Sequence, residues 1–265
     1  MNVSDANSVW NLYKDMKVGS VYFDNLWSMI EWSQSRPWNK LGTPVAAREW
    51  QMTSQTVNAN NDLASNSIVI PAGILQVPYF HPDLPSYINF GGSGWTIGHE
   101  ISHAFDNVGR QYDAEGRFGS DWWTNKTDTE FRRRSQCFID QYGNFTVPGI
   151  NDTLLHVNGA QTLAENIADA GGIDNTFLAW QQHREDHPDQ DKDLPGLESW
   201  THEQLYFISF ANQWCKSQTE ASLIDTVRGD VHSPNKFRIK GTLQNSVYFR
   251  QHFNCPSKEP TCKIW

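Results

Sequence analysis

Residues 99–103 read His99-Glu100-Ile101-Ser102-His103. On a helix, positions i and i+4 sit about 40° apart around the axis and about 6 Å apart along it. Two imidazoles at that spacing lean from one face toward a common point and can share a metal ion. Glu100 projects from the next position and can reach a water on that ion. Two neutral nitrogen ligands, a Lewis acid and a carboxylate base make up a hydrolytic zinc site, here with one Zn2+ per chain. The flanks support a buried helix: Gly94-Trp95-Thr96-Ile97-Gly98 before the motif and Ala104-Phe105 after it keep one face apolar. His183 and His187 repeat the spacing in a polar stretch that ends at Pro188, and read as a solvated helix end.

Two His ligands leave room for a third protein ligand plus water. The metzincin solution requires Gly at 106 and His at 109; Asp106 and Gly109 stand there instead. The other common solution is a Glu from a second helix, and Glu165-Asn166-Ile167-Ala168-Asp169 supplies one. A ligating imidazole usually donates its other N–H to a carboxylate, which fixes the tautomer. Asp169, one turn beyond Glu165, can do this for one His and Asp106 for the other. Leu163, Ala164, Ile167, Ala168 and Ala170 make the second helix apolar nearly all round, where an unpaired acid is costly.

The elements that must hold these groups are mostly helical. Helical spacing over residues 1–35 is expected to break at Pro37 and Pro44. Residues 56–59 and 67–70 read as two short strands joined by an Asn-rich turn. Residues 92–107 form the motif helix, and residues 163–182 form another despite Gly171-Gly172. Residues 186–196 are a charged, Pro-bounded loop, and 203–214 an apolar-faced helix. The expected fold class is mainly α with a small β-sheet (α+β).

Composition narrows the partners. Lys and Arg number 21 against 30 Asp and Glu, a net charge of −9. Arg132-Arg133-Arg134 is a short run that reads as a solvated helix face, so no nucleic-acid partner is expected. No run of 18 apolar residues exists, so no membrane contact is expected from this portion. Sequons at Asn2, Asn125, Asn144 and Asn151 point outside the cell. So do four cysteines without CxxC spacing, because Cys255 and Cys262 lie in a tail rich in Pro, Lys and Ser. The first residues lack a signal peptide, so an extracellular location implies sequence upstream.

HExxH followed some sixty residues later by Glu-Asn-x-x-Asp resembles the neprilysin and endothelin-converting-enzyme family of zinc metallopeptidases. Other strings agree: Val57-Asn58-Ala59, Pro71-Ala72-Gly73-Ile74-Leu75-Gln76, Asn89-Phe90-Gly91-Gly92, Asp121-Trp122-Trp123, Gln141-Tyr142-Gly143-Asn144-Phe145, Asp230-Val231-His232-Ser233-Pro234, Phe237-Arg238, Gly241-Thr242-Leu243-Gln244-Asn245 and the ending Cys262-Lys263-Ile264-Trp265. The match runs from about residue 20 to the end.

The resemblance implies a thermolysin-like (gluzincin) core and an endopeptidase that cuts small peptides on the amino side of hydrophobic residues. His99, His103 and Glu165 would bind zinc, Glu100 would be the proton carrier, and Asp106 and Asp169 would support the ligands. His232 would donate to the oxyanion and Arg238 would hold a primed-side carbonyl. Residue type and spacing alone single out neither of these two. Asn58 and Ala59 would hold the peptide backbone as an added strand. Ile74, Tyr79, Trp95, Thr96 and Trp214 would line an apolar primed-side pocket. Trp95 stands where relatives carry smaller side chains and is expected to make that pocket shallower; Asn60 and Asn61 stand where relatives place aromatics.

The resemblance also implies a Cys137–Cys262 disulfide and leaves Cys215 and Cys255 without their family partners. Residues 1–50 would be the remnant of a long helical half that roofs the site, and 51–265 the catalytic domain. A second reading is an inactive, peptide-gripping homologue or a fragment lacking its roof. A dinucleotide fold fails because Gly92-Ser93-Gly94 would need Gly where Ile97 stands, and a serine-nucleophile elbow fails at Trp95.

Overall fold

The computed structural model describes residues 4–45, 50, 52–256 and 261–265. It divides into two compact units, Met1–Ala46 and Ala47–Trp265. In the first, α1 (Ala6–Tyr13) starts at Asp5, whose carboxylate accepts from the amides of Asn7 and Ser8. That bond satisfies N–H groups the helix itself cannot. Helix α2 (Tyr22–Asn39) carries Pro37 inside its last turn, so the proline ends the helix two residues later than expected. Trp32 ties the pair together, donating to Leu12 O and stacking on Tyr13 at 4.9 Å. Neither helix contains a buried residue.

The second unit carries eight helices among its described residues: α3 (Ser86–Asn89), α4 (Trp95–His103), α5 (Asn125–Gly143), α6 (Leu163–Asp186), α7 (His202–Asn212), α8 (Glu220–Gly229), α9 (Asn235–Asn245) and α10 (Val247–His252). Two antiparallel hairpins complete it, β1 (Asn60–Asp62) with β2 (Ser67–Val69) and β3 (Thr146–Pro148) with β4 (Leu154–His156). The fold is mainly α with small sheets, as expected.

Helix α6 is the axis of this unit. Its first turns enter a core with Phe138, Tyr142, Phe145 and Phe237. Its later turns enter a second core with Trp95, Tyr206, Phe207 and Phe210. A helix buried on both sides must be apolar all round. It runs to Asp186, four residues past the expected end, and stops before Pro188. The loop beyond is fixed by Asp191, whose carboxylate accepts from Ser86 N, Ser86 Oγ and Trp180 Nε1. Helix α7 opens on a capping box between Thr201 and Gln204 and ends at Asn212.

Helices α4 and α6 pack backbone to backbone. A Cβ on Gly98 would stand 2.6 Å from Thr176 Cγ2, and one on Gly172 would stand 2.9 Å from His99 N. These glycines are therefore contact points between helices, which is why Gly171-Gly172 does not interrupt α6. The motif helix is shorter than expected: a π-helical turn over Phe90–Gly94 precedes it, and Ala104 caps it.

The first strand begins at Asn60, not at residue 56, and the Asn-rich segment is the strand rather than the turn. The chain reverses over 63–66, where Asn66 takes a left-handed φ of 46° that its short polar side chain tolerates. Arg132, Arg133 and Arg134 lie on α5 and pair with Asp128 or Glu130 of the same helix, a solvated face as read. Cys137 is joined to Cys262, and Cys215 and Cys255 are exposed free thiols.

Candidate metal centre

His99 and His103 leave α4 one turn apart, with their Nε2 atoms 3.0 Å from each other. The close α4–α6 packing sets Glu165 opposite. Its Oε2 lies 3.3 Å from His99 Nε2 and 3.5 Å from His103 Nε2. Among the described residues this is the one cluster of three such side chains whose ligand atoms all fall within 4.8 Å.

The other ring nitrogens face carboxylates. His103 Nδ1 is 2.6 Å from Asp106 Oδ2, and His99 Nδ1 is 2.9 Å from Asp169 Oδ1. Asp106 is itself fixed by the amides of Val108 and Gly109. With each Nδ1 beside a carboxylate, both Nε2 atoms face the same space. Glu165 Oε2 is buried there without a hydrogen-bond donor. Such an arrangement repels itself unless a cation or protons fill it. Ligands bound tetrahedrally at 2.0–2.1 Å lie about 3.3 Å apart, the spacing this triad has. The residues fit a zinc ion.

The electrostatics of the metal-free chain agree. Burial alone would lower the His103 pKa, but the neighbouring carboxylates of Asp106 and Glu165 outweigh it and hold the pKa at about 10. His99 is raised in the same sense: burial opposes it, and its contacts with Asp169 and Glu165 prevail. Burial would raise Glu165, yet His103 and His99 hold it far below the usual carboxylate range. Glu100, 5 % exposed, is shifted upward by burial, with the two imidazoles partly offsetting the shift.

His232 also reaches the centre, its Nε2 3.3 Å from Glu165 Oε2. Its Nδ1 is held 2.8 Å from Asp230 Oδ1. Arg238 is buried on α9, donating through Nε and Nη2 to Asp169 at 2.9 and 2.5 Å. Its guanidinium lies over the Trp214 ring at 4.0 Å. One cleft of about 590 Å³ contains the triad, Glu100, His232, Arg238 and Asp106. The same cleft is lined by Asn58, Ala59, Ile74, Tyr79, Trp95, Thr96 and Trp214. Trp95 is 3 % exposed and packs edge-on against Trp214, filling the wall at that end. Asp169 lies beneath, between His99 and Arg238.

Three contacts around the cleft escaped the sequence reading. Asp230 orients His232 and was legible only as its neighbour at i−2. Asn61 donates to the carbonyl of Glu100 across 2.7 Å, and Gln161 donates to Asp230 O. Both depend on chain crossings with no local signature. Of the glycosylation candidates, Asn125, Asn144 and Asn151 are exposed, and Asn2 lies outside the described residues.

Residues 58–263 match the profile of Peptidase family M13. Rabbit (Oryctolagus cuniculus) neprilysin is 39 % identical over 269 residues, covering 99 % of this chain and 35 % of that protein. The endothelin-converting enzyme homolog of Locusta migratoria is 40 % identical over 259 residues, 96 % of this chain and 34 % of the relative. The chain thus spans about a third of the length of these relatives. Among solved structures, the inhibitor complex of a Mycobacterium tuberculosis zinc metalloprotease superposes with a TM-score of 0.80 at 37 % identity, over 88 % of this chain and 35 % of that one. A Haemonchus galactose-containing glycoprotein complex gives a TM-score of 0.85 at 28 % identity over all of this chain and 44 % of that one. This chain belongs to peptidase family M13.

Proposed function

We propose that this chain is the catalytic portion of a zinc metalloendopeptidase that cleaves small peptides on the amino side of hydrophobic residues. The observation that carries the reading is the convergence of His99, His103 and Glu165 on one point, with Glu100 beside them in one cleft. When bound by these three side chains, zinc supplies a Lewis acid that polarises the scissile carbonyl and acidifies a water.

The protein's own groups do the rest. Glu100, whose carboxyl burial shifts upward, takes the proton of the attacking water and passes it to the leaving nitrogen. His232 donates from Nε2 to the developing oxyanion while Asp230 holds Nδ1, a contribution of about 3 kcal/mol. Asn58 and Ala59, just before β1, pair with the peptide backbone as an added strand. Arg238, braced by Asp169, holds a substrate carbonyl. The end of the cleft at Ile74, Tyr79, Trp95, Thr96 and Trp214 takes the hydrophobic side chain, with Trp95 limiting its depth.

Residues 51–265 carry this activity, and residues 1–50 are the remnant helical segment leading into them. The Cys137–Cys262 disulfide supports an extracellular setting, in which Asn125, Asn144 and Asn151 are available for glycosylation. No helix among the described residues is long and apolar enough to cross a membrane.

A fluorogenic peptide with a hydrophobic residue after the scissile bond tests the reading. Expected are one zinc per chain by metal analysis, hydrolysis, and its loss with a chelator or in Glu100→Gln. Binding of the peptide without chelator-sensitive cleavage would instead favour an inactive peptide-gripping homologue.

A further inference from the structure

The His232 side chain is 43 % exposed and sits on a stretch, residues 230–234, that has no helix or strand. Something else must hold its ring against Glu165. Two rungs connect this stretch, and a third connects α9 just after it, to α6 and the residues leading into it. Gln161 Nε2 donates to Asp230 O at 2.8 Å. Ser233 Oγ donates to Asn166 Oδ1 at 2.8 Å. Arg238 donates twice to Asp169. The rungs run in the same order along both segments, and Glu165 and His232 face each other between them.

The middle rung is wholly buried: Asn166 is 0 % and Ser233 1 % exposed. It continues inward in one direction. Asn166 Nδ2 donates to Thr162 Oγ1 at 2.9 Å, and Thr162 Oγ1 donates to Asn158 O at 3.1 Å. Every donor has an acceptor, and the chain ends on a backbone carbonyl. The Asn166 amide accepts from Ser233 and donates to Thr162 at once; a carboxylate there cannot donate and would add a second charge beside Glu165. A satisfied buried polar chain of this kind fixes one geometry, because any other leaves a buried group unpaired.

We infer that Asn166 and Ser233 are positioning residues that set the register of His232 against the metal centre. The inference rests on the proposed peptidase reading for its kinetic consequence, but its geometric consequence can be read without turnover. In Ser233→Ala, kcat should fall about tenfold while KM and zinc content stay within about twofold of the parent. In a His232→Ala background the same substitution should cost less than about twofold, since its effect passes through His232. Additive losses, or a loss that follows zinc release, overturn the inference.

The geometric arm uses the chain loaded with Co2+ and follows paramagnetic broadening of the His232 ring protons by NMR. Broadening should weaken in Ser233→Ala, and unchanged broadening overturns the inference whether or not peptides are cut. Weakened broadening in a chain that cleaves nothing leaves the inference standing and removes the peptidase reading. A chain that takes up no cobalt overturns both. If Ser233→Ala does not fold, Gln161→Ala breaks only the outer rung. It should give the same pattern at about threefold in kcat, and its absence counts equally against the inference.

Discussion

Glu165 is the residue on which the centre turns. It is the one proposed ligand outside the HExxH string, and its Oε2 lies near His99, His103 and His232. Glu165→Ala should cut zinc occupancy sharply; unchanged stoichiometry by metal analysis would remove it from the ligand set. Glu100→Gln should keep its zinc and lose about 10²- to 10⁴-fold in kcat, the range of a general base. Proton competition sets the pH dependence. In the metal-free chain His103 has a folded pKa of about 10 against an unfolded value near 6.5. The protonated pair therefore stabilises the metal-free fold fully below that unfolded value, and the contribution is lost as pH rises through about 10. Zinc needs the neutral ring, so the rise in melting temperature on adding zinc should grow with pH and vanish in acid. Calorimetry with and without chelator between about pH 6 and pH 9 checks this; a constant increment would contradict it.

At the level of elements, the site depends on how closely α4 and α6 approach. A methyl group on Gly172 would press on His99 N, beside a proposed ligand. Gly172→Ala should cost about 1–3 kcal/mol of stability, as overpacking does, and lower zinc affinity by moving Glu165 away from the imidazoles. Thr201→Ala at the capping box of α7 is the matched control. It should cost about 1 kcal/mol and leave zinc affinity unchanged, because α7 supports a core and contributes no ligand. Denaturant unfolding and zinc titration on both variants separate the two effects. Equal zinc affinity in Gly172→Ala and the parent would show that the helix spacing has slack.

Across the whole molecule, the C-terminal tail is tied back to the core that carries Arg238. Cys262 bonds Cys137 of α5 across 125 residues of sequence, and its amide donates to Asn245 Oδ1 on α9. Asn245 and Gln141 exchange two further side-chain bonds between α9 and α5. The tail therefore clamps α9, which carries Arg238, to α5. Reduction of the disulfide should cost about 2–4 kcal/mol, read as a lower denaturant midpoint, with activity falling in step with unfolding. Full activity at the old midpoint after complete reduction would show the clamp to be dispensable.

Local chemistry made much of this protein legible in its sequence. Helical spacing fixes the direction in which His99 and His103 lean, and the apolar surround of Glu165 and Asp169 announces acids with partners, because burial without them is costly. Strand limits were less legible: Asn60 and Asn61 read as a turn by residue type, yet hairpin pairing and the bond from Asn61 to Glu100 O hold them extended. The π-helical turn before α4 and the extra four residues of α6 were hidden for the same reason, since packing between distant segments decided them. His232 and Arg238 carry no signal of their own in type or spacing. Their places depend on three contacts from 161, 166 and 169 to 230, 233 and 238, which exist only once α6 and α9 are side by side. Sequence determined which groups could bind a metal, because a helix sets i and i+4 geometry by itself. Tertiary structure alone decided which groups face that metal, because contact across some seventy residues follows from packing and not from local periodicity.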